Sequence, residues 1–186
     1  MKKQFAKLVL WLLGWKVSAT QEILQCKKYM LLSGPHTSVW DFVIGKATYL
    51  ALGIEGKFLI KQEFFVGPLG PWLKKMGAYP VDRNNPRGLI PLIQTIKDSE
   101  EFIFTITPEG TRERNTKWKN GFYTIAKKAN MKIFIGTLNY QSKICNIGDP
   151  FEVTGDFEKD LEQVKTFYKP EYAKHPEKFA YHEQEL

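Results

Sequence analysis

Short apolar runs alternate along the chain with amphipathic stretches. Runs rich in aliphatic and aromatic residues predict strands at 28–33, 57–60, 78–82, 101–106, 132–138 and 144–147. Amphipathic stretches predict helices at 39–52, 71–76, 87–99, 121–130 and 157–168. Strands interleaved with helices in this order form a largely parallel sheet flanked by helices, so we predict an α/β fold.

The first 25 residues follow a different pattern. Leu8 to Trp15 are apolar and include two tryptophans, and lysines stand on both sides of them. This stretch is too short to cross a bilayer, which takes about 20 residues. Lysine flanks and tryptophans are typical of an amphipathic helix that lies in the membrane interface. We therefore predict three parts: a membrane-associating helical segment at 1–25, an α/β domain at 26–170 and a polar C-terminal tail at 171–186.

Two other interpretations of the leading segment stay open. A signal peptide has a similar basic start and apolar middle, and Val17 to Ala19 could serve as a weak cleavage site, although Lys16 cuts the apolar region short. The segment could also be an ordinary terminal helix packed on its own core.

Composition narrows the class of protein. With 186 residues, 43% of them hydrophobic, the chain can bury a sizeable core and is expected to form one compact domain. Residues 1–28 hold six lysines and one glutamate, which gives +5 of the net +7. This charge suggests an anionic partner, either phospholipid head groups or nucleic acid. Cys26 and Cys145 are too far apart for zinc spacing or a disulfide framework, which favours a reducing compartment.

The turns after the predicted strands carry the candidate chemistry. In open parallel sheets, ligands bind beyond the carboxyl ends of the strands. The turn after the first strand contains His36 and Asp41, Arg83 follows the third strand, and the turn Thr107 to Arg112 follows the fourth.

His36 and Asp41 are candidates for a paired base and carboxylate. Five residues on a continuous helix turn about 500°, so a helix alone cannot bring them together. If His36 lies in the loop and Ser38 caps the next helix, Asp41 falls in the first turn and can fold back toward the imidazole. The histidine could then accept a proton from a substrate hydroxyl. The alternative is that Ser38 and Asp41 form only a capping box.

The turn Pro108 to Arg112 combines a glycine with a hydroxyl and a guanidinium. Such a mixture can bind a phosphate or a hydroxylated head group, and Arg83 ends a neighbouring strand. The alternative is a strand-ending turn in which Glu109 and Arg112 pair at the surface.

Taken together, these turns resemble the glycerolipid acyltransferase family, the lysophosphatidate or PlsC type. His36 and Asp41 resemble its H-x4-D block, and Lys61 with Gln62 and Glu63 is similar to the segment that follows. Gly77 to Arg83 is similar to the second block. Pro108 to Arg112 matches the third block without substitution, and the order of the blocks is kept over residues 28–140.

The resemblance implies roles for eight residues. His36 would be the general base and Asp41 its orienting partner, and the acceptor would be bound by six residues: Lys61, Arg83, Glu109, Gly110, Thr111 and Arg112. The implied fold is glycerol-3-phosphate acyltransferase-like. One departure is Lys132, which stands where the fourth block usually has proline, and this weakens the identification of the acceptor.

The implied function is O-acyl transfer from acyl-CoA or acyl-carrier protein to a lysophospholipid, with 1-acylglycerol-3-phosphate favoured. Transfer would be direct, with no cofactor and no metal, at the cytoplasmic face of a membrane to which the protein binds peripherally. Three alternatives remain: a phosphate-free lyso-lipid acceptor, a non-catalytic lipid-binding protein, and a hydrolase that activates water. A nucleic-acid binder is disfavoured because no nucleic-acid motif appears.

Overall fold

The fold is built on one seven-stranded sheet. A computed structural model describes residues 1–82, 85 and 87–180 of the chain. The strands are β1 (Lys16–Ala19), β2 (Lys28–Gly34), β3 (Lys57–Lys61), β4 (Ala78–Val81), β5 (Phe102–Ile106), β6 (Lys132–Asn139) and β7 (Ile144–Phe151). Their spatial order is β1-β7-β6-β2-β5-β3-β4. Every pair is parallel except β6 with β7, so the predicted largely parallel α/β sheet is confirmed.

Seven α-helices accompany the strands in the described part of the chain. They are α1 (Lys2–Leu12), α2 (Gln21–Gln25), α3 (Val39–Leu52), α4 (Leu69–Lys75), α5 (Ile90–Asp98), α6 (Gly121–Ala129) and α7 (Phe157–Lys165). Single 3-10 turns occur at Gln62–Phe64, Pro170–Tyr172 and Pro176–Lys178. All five helices predicted from periodicity are present, and α3 has the predicted bounds.

Strand β2 is covered on both faces, which explains its continuous apolar sequence. Successive side chains of a strand point to opposite faces of the sheet. Met30 and Leu32 join the largest core cluster, together with side chains of α5, α6 and α7. Tyr29 and Leu31 pack on the other face with Tyr49 of α3. The helices therefore lie in a layer on each side, as parallel sheets require.

Helix α3 has clear start and stop signals, and its start carries the site. Ser38 is the N-cap, and its hydroxyl accepts a hydrogen bond from the Trp40 amide at 3.2 Å. The helix ends at Gly53, whose φ of +83° places it in the left-handed region that glycine adopts at low cost.

The first 25 residues form a helix, a strand and a second, short helix, and not the single helical segment that the sequence predicts. Helix α1 buries Ala6 and Leu10 in a core cluster that it shares with α3, as the terminal-helix alternative holds. Its other face leaves Phe5, Leu8, Trp11 and Leu12 exposed. Residues 16–19 are not helical, because they form β1 and pair with β7. Only two apolar residues mark β1, so its identity depends on a tertiary contact that sequence periodicity does not report.

The C-terminal segment also departs from the prediction of a polar tail. Ala173, Phe179 and Ala180 are buried, and the Phe179 ring lies 6.3 Å from that of Trp118. Residues 171–180 therefore pack against the domain core through these three side chains. Residues 181–186 lie outside the described part of the chain.

A close contact between Gly56 and the ring of Tyr49 gives a test of the packing beneath α3. A Cβ at position 56 would lie 2.0 Å from Tyr49 Cε2, and the Tyr49 side chain is buried. We expect Gly56→Ala to lower the free energy of unfolding by roughly 1–3 kcal/mol, the usual cost of overpacking. Urea denaturation measures this change.

The control is Gly45→Ala in α3, where an added Cβ meets nothing within 4 Å. This change should be neutral or stabilise by up to about 1 kcal/mol, since alanine favours helix over glycine. Equal stability of the two variants would contradict the packing described here.

Candidate active site

A cavity of about 620 Å³ lies against α3 on one face of the sheet. Its walls come from α3, β3, α4 and the ends of neighbouring strands, and most of its lining side chains are apolar. The apolar lining residues include Leu31, Val39, Phe42, Tyr49, Phe58, Leu59, Ile60, Phe64, Leu69, Trp72, Leu73 and Met76. Such a cavity suits a hydrophobic ligand.

Six of the eight predicted site residues line this cavity: His36, Asp41, Lys61, Gly110, Thr111 and Arg112. The structure thus brings together residues from the turn after β2, the end of β3 and the turn after β5. Arg83 lies outside the described residues. Glu109 is not part of the cavity wall, because its side chain is buried against the backbone of His36.

His36 and Asp41 are in contact. His36 Nδ1 lies 3.1 Å from Asp41 Oδ2. The same oxygen accepts hydrogen bonds from the amides of Thr37 and Ser38, each at 2.8 Å. Asp41 thus completes the capping box of α3 and touches the imidazole at the same time, so the two predicted arrangements of this motif occur together. Because Nδ1 faces the carboxylate, Nε2 is the nitrogen that remains available to a substrate.

The second oxygen of Asp41 is bound by a residue that the sequence did not suggest. The Tyr140 hydroxyl donates a hydrogen bond to Asp41 Oδ1 at 2.8 Å. Tyr140 directly follows β6, which lies next to β2 in the sheet. No motif marks this position. Its position beyond the carboxyl end of the predicted strand 132–138 is the sequence signal for it, because ligands bind at that end of parallel strands.

Glu109 acts on the loop of His36 and does not face the cavity. Its side chain is buried, with the residue only 3% exposed, and Oε1 accepts a hydrogen bond from the His36 amide at 2.7 Å. Glu109 thus holds the His36 loop, and its predicted binding of the acceptor stays a prediction. Its burial also excludes the surface ion pair with Arg112 considered above.

Burial changes the acidity of Glu109. Loss of solvation raises the pKa of this carboxyl to about 7, against a smaller lowering effect of the His36 amide, and the charge of nearby Asp41 adds to the rise. Near neutral pH the carboxyl is therefore partly protonated.

The rest of the Glu-Gly-Thr-Arg turn is held by its own backbone and by one side chain. Gly110 has a φ of +71°, which disfavours other residues, and an added Cβ would lie 3.0 Å from Lys119 Cγ. Asn115 Nδ2 donates to the carbonyl oxygens of Glu109 and Lys117 at 2.9 Å each. Arg112 is exposed at this turn, where its guanidinium can bind an anion that enters the cavity.

Positive charge is concentrated on the cavity wall. Lys46, Lys61 and Arg112 line it, whereas the ammonium of Lys57 lies over the ring of Phe102 on the other face of the sheet. Burial lowers the pKa of Lys46. An apolar cavity with basic residues around it and a histidine–carboxylate pair in its wall fits an amphiphile whose polar end is anionic.

Comparisons with known proteins show the family and the fold of this chain. The family model described as Acyltransferase matches residues 16–140. A 1-acyl-sn-glycerol-3-phosphate acyltransferase of Streptococcus pneumoniae is 27% identical over a 177-residue alignment that covers 83% of this chain and 64% of the relative. The crystal structure of the 1-acyl-sn-glycerophosphate acyltransferase PlsC from Thermotoga maritima aligns with a TM-score of 0.61 and 18% identity, covering 87% of this chain and 74% of that one.

The matched region spans most of the chain and contains both His36 and Asp41. The chain therefore belongs to the acyltransferase family. The structural alignment shows that it shares the fold of PlsC. The chain spans less than two thirds of the length of the pneumococcal relative.

The raised pKa of Glu109 predicts a specific pH dependence of stability. A carboxyl whose pKa is higher in the folded state stabilises the fold when protonated, and this contribution is lost as pH rises from about 4.5 to about 7. We expect Glu109→Gln to gain stability relative to the parent protein between pH 5 and pH 8. The gain should be on the order of 2 to 3 kcal/mol.

Urea denaturation at several pH values measures this difference. The control is Glu113→Gln, which removes an exposed carboxylate from the same turn; its stability relative to the parent protein should change little between pH 5 and pH 8. Parallel stability curves for the parent protein and Glu109→Gln would contradict the assignment.

Proposed function

We propose that this protein is an O-acyltransferase that moves a fatty acyl group from an acyl thioester to the hydroxyl of 1-acylglycerol-3-phosphate. The observation that carries the proposal is the contact between His36 and Asp41 in the wall of an apolar cavity that is lined by Lys61 and Arg112. The name of the pneumococcal relative supports it.

The shape of the cavity supports binding of an acyl chain. Its wall follows α3 from Asp41 to Tyr49, eight residues that span about 12 Å. Apolar side chains of β3 and α4 complete the wall on this part of the cavity. An acyl chain placed here would have its carbonyl carbon close to His36.

The reaction needs one base and no covalent intermediate. His36 Nε2 accepts the proton of the acceptor hydroxyl while that oxygen attacks the thioester carbonyl. The new C–O bond forms, the C–S bond breaks, and the departing thiolate takes the proton from the imidazolium. Asp41 stabilises the positive charge that His36 carries between these two steps.

The basic residues give the acceptor its orientation. Arg112 can bind a phosphate through two parallel hydrogen bonds, and Lys61 adds a second positive charge on the cavity wall. The thioester donor is acyl-CoA or acyl-carrier protein, and parallel assays with both donors distinguish them. An assay with monoacylglycerol tests whether the acceptor phosphate is needed.

Removal of the base should abolish transfer. We expect His36→Ala to lower kcat by at least a hundredfold, because general-base catalysis contributes about 10²–10⁴ to the rate. Transfer of a labelled acyl group to lysophosphatidate measures this change, and thermal unfolding confirms that the variant is folded.

His175→Ala is the matched control, because its imidazole is partly exposed on the C-terminal segment and pairs with Glu177. It should keep near-normal turnover. A His36→Ala variant with near-normal turnover would refute the role of His36. Release of free fatty acid without an acceptor would indicate a hydrolase.

We further propose that the protein binds peripherally at the cytoplasmic face of a membrane through α1. Phe5, Leu8, Trp11 and Leu12 form an exposed apolar face on this helix, and lysines at positions 2, 3 and 7 lie in the same helix. Among the described residues, no helix is both long and apolar enough to cross a bilayer. Apolar side chains with neighbouring lysines are typical of helices that lie on anionic lipid surfaces.

Substitutions on the exposed face of α1 test membrane binding without disturbing β1. We expect the double variant Leu8→Glu, Trp11→Glu to bind anionic vesicles at least tenfold more weakly, since each buried apolar side chain contributes roughly 1.5–3 kcal/mol. Vesicle sedimentation measures this binding. Activity on a soluble short-chain acceptor should be preserved.

Phe167→Glu is the control, because Phe167 is 43% exposed and follows α7, away from α1 in the sequence. It should leave vesicle binding unchanged. Equal losses of vesicle binding in the control and the double variant would contradict the proposal, as would equal losses of activity on membrane and soluble acceptors in the double variant.

A further inference from the structure

We propose that Tyr140 is a positioning residue for catalysis, acting on His36 through Asp41. Its hydroxyl holds one oxygen of the carboxylate while the other oxygen holds the imidazole. The catalytic consequence rests on the proposed function, whereas the effect on the imidazole does not depend on any activity.

The hydrogen bonds of Asp41 divide cleanly between its two oxygens. Oδ2 meets three donors from its own segment of chain: the imidazole of His36 and the amides of Thr37 and Ser38. Oδ1 accepts from Tyr140, which is 99 residues away in sequence. Asp41 is only 7% exposed, so solvent contributes little to its hydrogen bonding. Without Tyr140, Oδ1 would lose this bond while Oδ2 keeps its three partners, so the carboxylate would stay in contact with the imidazole but would be less precisely aligned.

Tyr140 is itself held by contacts that do not involve Asp41. Its ring meets the ring of Trp15 edge to face, with the centroids 5.0 Å apart. Trp15 is buried at the end of the segment that connects α1 to β1. The Tyr140 amide donates to the Tyr172 carbonyl oxygen at 3.0 Å. Contacts other than the bond to Asp41 therefore fix the position of the hydroxyl. A donor fixed in this way is preorganised.

The chemistry of Tyr140 suits a permanent donor. Burial raises the pKa of the Tyr140 phenol, and the negative charge of Asp41 and the hydrogen bond to it raise the pKa further. The hydroxyl thus keeps its proton at neutral pH. Its hydrogen bond to Oδ1 reduces the negative charge on the carboxylate. Asp41 therefore stabilises the protonated imidazole of His36 less strongly than it would without Tyr140.

Other charged and titratable residues lie near His36, and a substitution that tests Tyr140 must leave them unchanged. Glu109 faces it from the turn after β5, Arg112 lines the same cavity, and His175 lies on the C-terminal segment, where its amide donates to the Thr37 hydroxyl at 3.2 Å. None of these is altered when the Tyr140 hydroxyl is removed.

The test is Tyr140→Phe, which keeps the ring against Trp15 and removes only the hydroxyl. The His36 imidazole is titrated by NMR in protein labelled at histidine. We expect its titration midpoint to move to higher pH, because the carboxylate regains the charge that the phenol had withdrawn. In the transfer assay we expect kcat to fall about tenfold with KM unchanged, since the positioning acts on the base and not on substrate binding.

The matched control is Tyr123→Phe. The Tyr123 hydroxyl also donates to a buried carboxylate, Asp160 Oδ2, at 3.0 Å, but on the other face of the sheet. This variant should lose stability to a similar degree and leave the midpoint of His36 and kcat unchanged. A purely structural role for Tyr140 predicts that the two variants behave alike, and that result would overturn the proposal, as would a downward shift of the midpoint.

A second replacement keeps the proposal testable if Tyr140→Phe does not fold. Site-specific incorporation of 3-fluorotyrosine at position 140 retains the ring and the hydroxyl but makes the hydroxyl a stronger donor. The midpoint of His36 should then move to lower pH, and an upward shift or no shift would overturn the proposal. If the parent protein transfers no acyl group with any donor, the proposed function fails, while the titrations still decide whether Tyr140 acts on His36.

Discussion

The structure of the site depends on one buried carboxylate. Asp41 receives hydrogen bonds from two backbone amides and one phenol, and it contacts the imidazole of His36, all within 3.1 Å. The two amide bonds start helix α3 and place the carboxylate at a fixed point of the fold. The imidazole and the phenol then take their positions from that point. The same side chain therefore caps a helix and orients the imidazole, so the capping box and the contact with His36 occur together.

The order of the strands explains how this arrangement forms. Strands β6, β2 and β5 are neighbours and parallel, so their carboxyl ends lie at one edge of the sheet. The residues that follow them are Tyr140, His36 and Glu109, in the same spatial order. Glu109 holds the backbone of His36, and Tyr140 holds the partner of its ring. The imidazole is thus fixed by the residues that follow the two flanking strands, and the apolar cavity lies beside it.

The features that local sequence signals mark could be predicted, and those that depend on distant contacts could not. Helix α3 was found with its bounds because a serine cap, an apolar face and a terminal glycine mark it locally. The contact of His36 with Asp41 followed from the same cap. In contrast, β1 depends on pairing with β7, and β7 runs through Pro150 to Phe151, where proline suggests an end. Tyr140 and the burial of Glu109 arise from strand neighbours distant in sequence, which local patterns do not report.

The central claim is that Asp41 holds His36 with Nδ1 protonated and Nε2 free to act as a base. The most direct measurement is the ¹⁵N chemical shift of both ring nitrogens of His36, recorded at a pH where the ring is neutral. The account predicts that Nδ1 carries the proton in the parent protein and that this preference weakens in Asp41→Asn. A neutral His36 with the proton on Nε2 in the parent protein would contradict the account.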